Sequence, residues 1–267
     1  MKTQVFGKTT KIAVIITVIS FVLGAGNYVL GQQANAEGLN KGLVLYFSFD
    51  NVKTENFKTT IPDDSGTGNN GYLISGTFTE GKFGKALKCN ADNKNDGVLV
   101  EDCNTLDLDA VTIAAWIKTD RQDGQWKRIL DKNWKSAYNL CIGGDYQGQS
   151  WRDKTTFECA GCSISSKTPV VDGQWHFITG SYDGKAMKLY VDGKLDVNVD
   201  VTKKTGKPVP MKHNDNVLMI GRLAALEPPP YDHAFFDGLI DELRLYNRVL
   251  SDEEVMQLYQ YEPAAAK

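Results

Sequence analysis

Alternation of apolar and polar positions along the chain predicts a protein built mainly of β-strands. From residue 43 to residue 49 every second side chain is strongly apolar, which is the period of a strand with one buried face. Residues 111–117 are apolar on both faces, as in a strand that a second layer covers. Residues 195–201 alternate without exception, so their four apolar side chains are predicted to pack. The side chains predicted to meet between two sheets are Phe47, Phe49, Ile113, Ala115, Leu189, Val191, Leu243 and Leu245.

Turn and cap residues divide this pattern into elements. Asp183-Gly184 and Asp192-Gly193 predict tight hairpin turns, because Asp and Gly tolerate the positive φ that such turns require. Ser251, followed three residues later by Glu254, predicts a capped helix that ends before Pro263. Many strand-like runs and one helix indicate a single domain of two packed antiparallel sheets.

Several segments, taken together, carry a family resemblance. They read LYFSFD (45–50), DSGTGNNG (64–71), GKFGKAL (81–87), IAAWIK (113–118), WHF (175–177), YDG (182–184), LYVDGK (189–194) and FDGLIDELRLYNR (236–248). In this order they resemble signature segments of the laminin-G-like jelly-roll domains of the concanavalin A-like lectin/glucanase superfamily. The resemblance implies an all-β fold, a two-sheet antiparallel jelly-roll sandwich with one short C-terminal helix. Because this superfamily hosts lectins, binding modules, adhesion domains and hydrolases, it leaves the function open.

The amino terminus predicts export. Three lysines and no acidic residue precede the apolar run 12–23, and Ala34-Asn35-Ala36 offers small residues at both positions that a signal peptidase recognises. We therefore expect a signal peptide over residues 1–36, a jelly-roll domain over 37–262 and a tail over 263–267.

A retained anchor is the alternative at the amino terminus. The apolar stretch reaches Leu30, and roughly 20 apolar residues can span a bilayer. In both cases the domain would lie outside the cytoplasm, secreted or in the cell envelope, where disulfides are allowed. After cleavage no membrane contact is expected.

Charge and cysteine content narrow the range of partners. The 30 Lys and Arg residues against 33 Asp and Glu give a net charge of −3, so nucleic acid is not an expected partner. The pairing of the five cysteines stays open. Cys89 could pair with Cys103 across a strand pair, and Cys141, Cys159 and Cys162 could supply one more bridge, or several could be small buried apolar side chains.

Catalytic motifs of the resembled superfamily are missing. Its glucanases carry a Glu-x-Asp-x-x-Glu strand, whose alternation aims a nucleophile and a general acid into one groove. The nearest match here is Asp237 followed by Asp241 and Glu242, and adjacent residues of a strand point to opposite faces. The sequence therefore predicts a protein that is not an enzyme.

A structural calcium ion is the expected cofactor. Asp241 shares its alternation with Leu239, Leu243 and Leu245, so its carboxylate is predicted to point inward at a cost that Ca²⁺ would relieve. The resemblance implies an ion that joins the loop after the first strand to the last strand. The metal ligands so implied are Asp50, Asp63, Asn69, Asn70, Gly71 and Asp241. The alternative is that Asp241 pairs with an Arg or with backbone N–H groups, and that the loop is a run of turns.

Aromatic residues in turn-rich stretches are candidates for ligand contact. The sequence places Trp126, Trp134, Tyr146 and Trp151 in such stretches, where a flat ring could stack on a sugar. Asp145 and Arg152 could bond the sugar hydroxyls. The alternative is that these rings only anchor loops.

A proline-stiffened segment, residues 222–236, is expected to form a surface arm. Tyr231 and His233 on this arm are predicted to border the same cleft as Trp151 and Arg152. The alternative is an arm that merely covers a sheet edge.

The resulting prediction is an exported, non-catalytic binding module for polysaccharide or glycoprotein, stabilised by calcium. A structural or adhesive envelope protein without a glycan site is the main alternative. A glycoside hydrolase with an unrecognised site is the least favoured reading.

Overall fold

The computed structural model describes residues 38–133, 135–224 and 234–263. The chain divides into two units, Met1–Lys41 and Gly42–Lys267, and every element below belongs to the second. The predicted signal segment lies outside the described residues.

Strands make up most of the regular secondary structure among the described residues of the second unit, which also include one 3₁₀ turn (Asn104–Leu106) and two α-helices, α1 (Thr202–Thr205) and α2 (Asp252–Gln260). The strands are β1 (Leu43–Phe47), β2 (Lys53–Glu55), β3 (Lys58–Ile61), β4 (Gly71–Ser75), β5 (Thr77–Glu80), β6 (Lys85–Cys89), β7 (Gly97–Val100), β8 (Val111–Lys118), β9 (Lys127–Lys132), β10 (Tyr138–Ile142), β11 (Asp145–Tyr146), β12 (Gln149–Ser150), β13 (Thr155–Cys159), β14 (Cys162–Ser165), β15 (Trp175–Tyr182), β16 (Ala186–Val191), β17 (Lys194–Asp200), β18 (Leu218–Ile220) and β19 (Gly238–Tyr246).

Two large antiparallel sheets form a sandwich, as the sequence predicts. The eight-stranded sheet has the order β17-β16-β15-β8-β19-β6-β5, with β1 also paired to β19. The nine-stranded sheet has the order β14-β13-β10-β9-β18-β7-β4-β3-β2, and β11 and β12 form a separate hairpin. The sequence-distant neighbours in both sheets arise because the chain crosses repeatedly between them.

The apolar core lies between the inner faces of the sheets. All eight predicted core residues belong to one apolar cluster and are no more than 5% exposed. Burying an apolar side chain of this size contributes about 1.5–3 kcal/mol. Gly180 on β15 allows close approach of the sheets, because a Cβ there would lie 2.6 Å from the ring of Phe157 on β13.

Two hairpins join β15, β16 and β17, as predicted, and Asp192 and Gly193 have the positive φ values of a tight turn. The expected packing of β17 is only partly right. Leu195 and Val199 are 44% and 39% exposed. Because β17 is an edge strand, alternation alone did not ensure that another layer covers its apolar face.

A bulge in β19 changes which side chains face the core. The pairing of β19 with β8 shifts between Asp241 and Arg244, and Glu242 has a φ of 51°. Before the bulge Ile240 faces the core, and after it Leu243 does. Asp241 pairs with Trp116 on the outer face, so the predicted shared face of Asp241 and Leu243 is wrong.

Helix α2 covers part of the outer face of the eight-stranded sheet. Ser251 and Glu254 form the predicted reciprocal capping box. Tyr259 stacks on Trp116 of β8, with ring centroids 5.5 Å apart. Within the described stretches of chain, no helix is long and apolar enough to cross a membrane.

Candidate functional site

A groove lies on the outer face of the nine-stranded sheet, near its β14 edge. On β13, Phe157 belongs to the core, so alternation turns its neighbour Glu158 outward. On β14, Ile164 is the core residue, and alternation turns Ser163 and Ser165 outward. Polar side chains therefore line the outer face of the sheet at this place and form the floor of the groove.

The groove encloses a cavity of about 600 Å³. Its lining residues combine aromatic rings, one charged pair and two hydroxyls: Trp126, Arg128, Tyr146, Trp151, Glu158, Ser163 and Ser165. A cavity of this size is within the range of small-molecule sites, and its mixture of flat apolar walls and few polar groups is typical of them.

Two indole rings form one wall of the groove. The rings of Trp126 and Trp151 lie 6.3 Å apart between centroids, inclined by 38°. Two glycines permit this approach: a Cβ at Gly143 would lie 2.5 Å from Trp151, and one at Gly144 would lie 2.8 Å from Trp126. The hairpin of β11 and β12 carries Tyr146, which is 52% exposed.

The floor of the groove is a buried ion pair. Arg128 Nη1 donates to Glu158 Oε2 at 2.8 Å, and Asn139 Nδ2 donates to the same oxygen. Burial opposes the charge of Arg128, but the acidic groups beside it, Cys141 and Glu158 foremost, hold its pKa above the ordinary value. The floor is therefore a buried, hydrogen-bonded Arg128–Glu158 pair beneath aromatic walls.

The sequence-predicted ligand residues divide between two places. Tyr146 and Trp151 line the groove. Asp145 and Arg152 border a smaller neighbouring cavity of about 360 Å³ and bond each other in an exposed pair. The hydrogen bonds from Arg152 lower the pKa of Asp145 to about 2. Each of these two residues is thus the other's partner.

Three residues named as candidates, Trp134, Tyr231 and His233, lie outside the described residues. The predicted cleft shared by Tyr231 and Trp151 stays a prediction. Trp126, which the sequence also indicates as an aromatic that could stack on a sugar, lines the groove as well. The sequence does not single out Arg128, Glu158, Ser163 or Ser165. The available signal was the alternation of polar residues with Phe157 and Ile164 in two adjacent short strands.

The candidate metal ligands Asp50 and Asp241 lie against one turn, residues 81–84, between β5 and β6. Asp50 Oδ1 accepts a hydrogen bond from Lys85 N at 2.7 Å, and Asp241 Oδ2 accepts one from Phe83 N at 3.0 Å. Glycines are needed in this turn, because a Cβ at Gly81 would lie 2.6 Å from Asp241 Oδ2. The two carboxylates therefore share one neighbourhood.

Asp241 is completely buried. Burial raises the pKa of its carboxyl to about 7, although backbone N–H groups of Phe83 and Glu242 donate to it. Among the described residues it makes no ion pair, so backbone donors, one of the two expected alternatives, are its partners.

The loop of residues 63–71 is held against β1. Asp63 accepts four hydrogen bonds, from the N–H groups of Tyr46, Ser65 and Asn69 and from the hydroxyl of Thr67. Although burial opposes it, these bonds lower the pKa of Asp63. Four bonds occupy the lone pairs of a carboxylate, so Asp63 braces the loop.

The other loop residues named as metal ligands also have local partners. Asn70 Oδ1 accepts from Asp63 N, and Asn69 Nδ2 donates to Val44 O. Gly71 opens β4, where a Cβ would collide with Phe47. In the described part of the chain no group of three or more Asp, Glu, His or Cys residues could hold a metal ion. The described residues therefore do not gather Asp50, Asp63 and Asp241 into one cluster of carboxylates, and a calcium ion held by the predicted set stays a prediction.

The bulge also corrects the expected geometry of Asp241 and Glu242, which both lie on the outer face of β19. Glu242 Oε2 accepts hydrogen bonds from Tyr46 Oη at 2.8 Å and from Arg244 Nη2 at 2.7 Å. Both carboxylates are no more than 1% exposed. Their burial closes these two carboxylates to a substrate, whereas the sequence predicted that they would point to opposite faces of the strand.

Comparisons with known proteins agree with this fold. A laminin G family model, described as concanavalin A-like lectin/glucanases superfamily, matches residues 92–256. No curated protein sequence matches the chain.

Among solved structures, the binding domain of Paraclostridial Mosquitocidal Protein 1 superposes with a TM-score of 0.60 at 18% identity, over 83% of this chain and 52% of that one. Domain 4 of AbnA, a GH43 extracellular arabinanase from Geobacillus stearothermophilus in complex with arabinotriose, gives 0.59 at 20% identity, over 82% of this chain and 98% of that one. The Botulinum neurotoxin serotype D ligand binding domain in complex with N-acetylneuraminic acid gives 0.56 at 14%, over 85% and 52%.

These similarities are shared folds. The chain spans about half the length of the two toxin domains and nearly all of the arabinanase domain.

Proposed function

This chain belongs to the laminin G family of the concanavalin A-like lectin/glucanases superfamily, and from that premise we propose that it is an exported, non-catalytic module that binds glycans of a polysaccharide or glycoprotein. The ligand would lie in the groove on the outer face of the nine-stranded sheet.

The aromatic walls of the groove are the observation that carries this proposal. Trp126, Trp151 and Tyr146 surround a cavity of about 600 Å³. The apolar faces of sugar rings stack on such side chains, while fixed polar groups bond the hydroxyls. The Arg128–Glu158 pair and the hydroxyls of β14 supply those polar groups.

Two structural neighbours support a glycan as the ligand class. The arabinanase domain was solved with arabinotriose and the neurotoxin domain with N-acetylneuraminic acid. Because these neighbours share little sequence identity with this chain, the sugar that the groove binds must be identified by experiment.

A binding role is favoured over hydrolysis by the acidic groups of the groove. Glycoside hydrolases of the usual kind need two carboxyl groups across the scissile bond. Of the described residues that line the cavity, Glu158 alone has a carboxylate, and Arg128 and Asn139 already engage it.

A glycan array tests the proposal. The full chain should be retained on one class of sugar, in the presence and in the absence of a chelator, because the groove residues are not metal ligands. Phe57→Ser is a matched control, since this fully exposed aromatic lies at the hairpin of β2 and β3, the opposite edge of the same sheet. It should bind as the wild type does. Absence of retention on every sugar class would contradict the proposal.

A structural calcium ion is the proposed cofactor. Asp50 and Asp241 would hold it, with backbone carbonyls of turn 81–84, because hard oxygen donors suit Ca²⁺. The buried Asp241 carboxylate supports this assignment, since the described residues give it no cationic partner. The ion would supply that positive charge and tie β19 to the turn.

An adhesive envelope protein without a glycan site is the second candidate. It is favoured by apolar side chains exposed at sheet edges, namely Phe57 on the hairpin of β2 and β3 and Leu195 and Val199 on β17. Such residues can contact another protein. The glycan array separates the two candidates.

A further inference from the structure

Two cysteines face each other at the tip of the hairpin formed by β13 and β14. Cys159 ends β13, Cys162 begins β14, and the two are directly paired in the strand register. The turn between them consists of Ala160 and Gly161, with φ values of 52° and 76°. Positive φ at both positions is the geometry of a tight two-residue hairpin turn, and it holds the two cysteines opposite each other.

The two side chains lie on the same face of the sheet. Directly opposed residues of an antiparallel pair project to one side, and Cys159 belongs to the apolar core while Cys162 packs against it. Their Cα atoms are separated by about 4.5–5.5 Å in such a pair, inside the roughly 4.4–6.8 Å range of disulfides. Burial is the larger cause that raises the pKa of the Cys159 thiol well above its ordinary value, and the neighbouring Cys162 is the smaller one.

The remaining cysteines are placed differently. Cys89 lies on β6 of the eight-stranded sheet, and Cys103 follows β7 of the nine-stranded sheet, so the strand pair predicted to join them does not form. Cys103 Sγ instead contacts Asn69 Oδ1 at 3.0 Å. Cys141 faces outward on β10, and its Sγ lies 3.6 Å from Thr156 O.

We infer that Cys159 and Cys162 are a site of reversible oxidation, which closes a disulfide across the tip of the hairpin. The oxidant is a disulfide of a small thiol such as glutathione.

The reaction begins at Cys162, which is partly exposed, whereas Cys159 is buried. The Cys162 thiolate attacks the external disulfide, forms a mixed disulfide and releases one thiolate. Cys159 then loses its proton and attacks the Cys162 sulfur, which releases the second small thiol. The protein loses two hydrogen atoms, and the external disulfide is reduced to two thiols. Because burial disfavours the Cys159 thiolate, the second step is the slower one.

The disulfide would form on the core side of the hairpin whose outer side carries part of the floor of the groove. Glu158 and Ser163 are the next register pair, and they face outward where the cysteines face inward. The Cβ atoms of opposed residues lie about 4.5–5.5 Å apart, and a disulfide needs about 3.5–4.5 Å. Closure therefore draws the inner side of the hairpin together beneath Glu158, and a small thiol reopens the bridge by the reverse exchange.

Alkylation and peptide mass spectrometry test this inference. The full chain is equilibrated with glutathione disulfide, denatured and alkylated. We expect label on Cys89, Cys103 and Cys141 only, and a peptide containing Cys159 and Cys162 that is unlabelled and lighter by two hydrogen atoms. Dithiothreitol should restore label at all five cysteines. Five labels after oxidation, or a bridge to any other cysteine, would overturn the inference.

Two variants make the result specific. Cys103→Ser should keep the bridge, because Cys103 has no place in it. Cys162→Ser should leave Cys159 labelled after oxidation, since the attacking thiolate is gone. Label lost from Cys159 in this variant would contradict the pairing. Circular dichroism confirms that each variant is folded before its label is counted.

Discussion

Two buried arginine–glutamate pairs occupy the outer faces of the two sheets, and they differ in what covers them. Arg244 pairs with Glu242 on the eight-stranded sheet, and its guanidinium lies 4.0 Å from the ring centroid of Tyr46 and 5.6 Å from that of Tyr261. Arg128 pairs with Glu158 on the nine-stranded sheet, beside the ring of Trp126, at the floor of an open cavity.

The comparison separates structural polar groups from groups that can meet a ligand. In the first pair, rings of the chain itself cover the guanidinium, and Tyr46 Oη donates to the carboxylate. In the second, the rings stand at the side and leave space above the pair. The chemistry of the two pairs is alike, and the space above them is what favours Arg128–Glu158 as a binding floor.

The largest expected effect is common to both pairs. Glu242→Ala and Glu158→Ala should each lower the free energy of unfolding by about 3–5 kcal/mol, because each removes the carboxylate that pairs with a buried arginine. Chemical denaturation measures the loss. The control is Asp145→Ala, which breaks an exposed pair and should leave stability unchanged within error. A loss confined to one of the two buried pairs would show that they are not equivalent.

The proposed calcium ion gives the next largest effect. Thermal unfolding should show the wild type more stable in Ca²⁺ than in chelator, by about 2.7 kcal/mol at a free concentration one hundred times Kd. Asp241→Ala should abolish this difference. The matched variant Asp63→Ala should keep it while lowering stability in both buffers, since it removes only the braces of the loop. An equal loss for Asp241→Ala in both buffers would contradict calcium binding at Asp241.

Replacing each glutamate by glutamine removes its charge and keeps its size, and the two arginine–glutamate pairs should then differ in their effect on glycan binding. Glu158→Gln should weaken glycan retention about tenfold, because the floor loses a charged acceptor worth about 1.5–3 kcal/mol at most. Glu242→Gln should retain ligand as the wild type does. Fluorescence titration with the sugar class identified on the array measures both. Equal weakening by the two variants would mean that the effect passes through stability alone.

The smallest effect is a pH dependence outside both regions. His176 on β15 lies between Asp192 Oδ2 at 2.9 Å and Asp172 Oδ1 at 3.2 Å, and the bond to Asp192 raises its pKa although burial opposes this. A raised histidine pKa adds stability below about 6.5, which is lost as the pH rises through the folded-state pKa. The difference in stability between wild type and His176→Gln should therefore shrink by about 0.2–1 kcal/mol toward alkaline pH. A stability difference that grows toward alkaline pH would contradict the bridge between His176 and the two aspartates. Glycan retention should not change in parallel with this stability difference.

Alternation predicts this fold well where a strand is regular and covered. The eight predicted core residues are all buried, and the turn at Asp192 and the cap at Ser251 form as expected. It fails on β17, an edge strand, and at the bulge in β19, because alternation carries no information on either. One inserted residue is enough to move Asp241 to the outer face.

The site was less predictable than the fold, for a related reason. Trp126, Tyr146 and Trp151 could be named because aromatic residues in turn-rich stretches stand out in a sequence. Arg128 and Glu158 come from different strands, and their pairing depends on the order of β9, β10 and β13 in the sheet. Long-range strand order is a tertiary property, so the floor of the groove becomes visible only in the folded chain.

Removal of the two indole rings is the most direct test of the groove. Retention of the full chain on its sugar class should be measured for the wild type, for Trp126→Ala with Trp151→Ala, and for the control Phe57→Ser, after circular dichroism confirms each fold. We predict a loss of at least about tenfold for the double variant, since each ring contact is worth about 0.5–1.5 kcal/mol beyond its buried area, and no loss for the control. Unchanged retention by a folded double variant would contradict the proposal that the ligand lies in this groove.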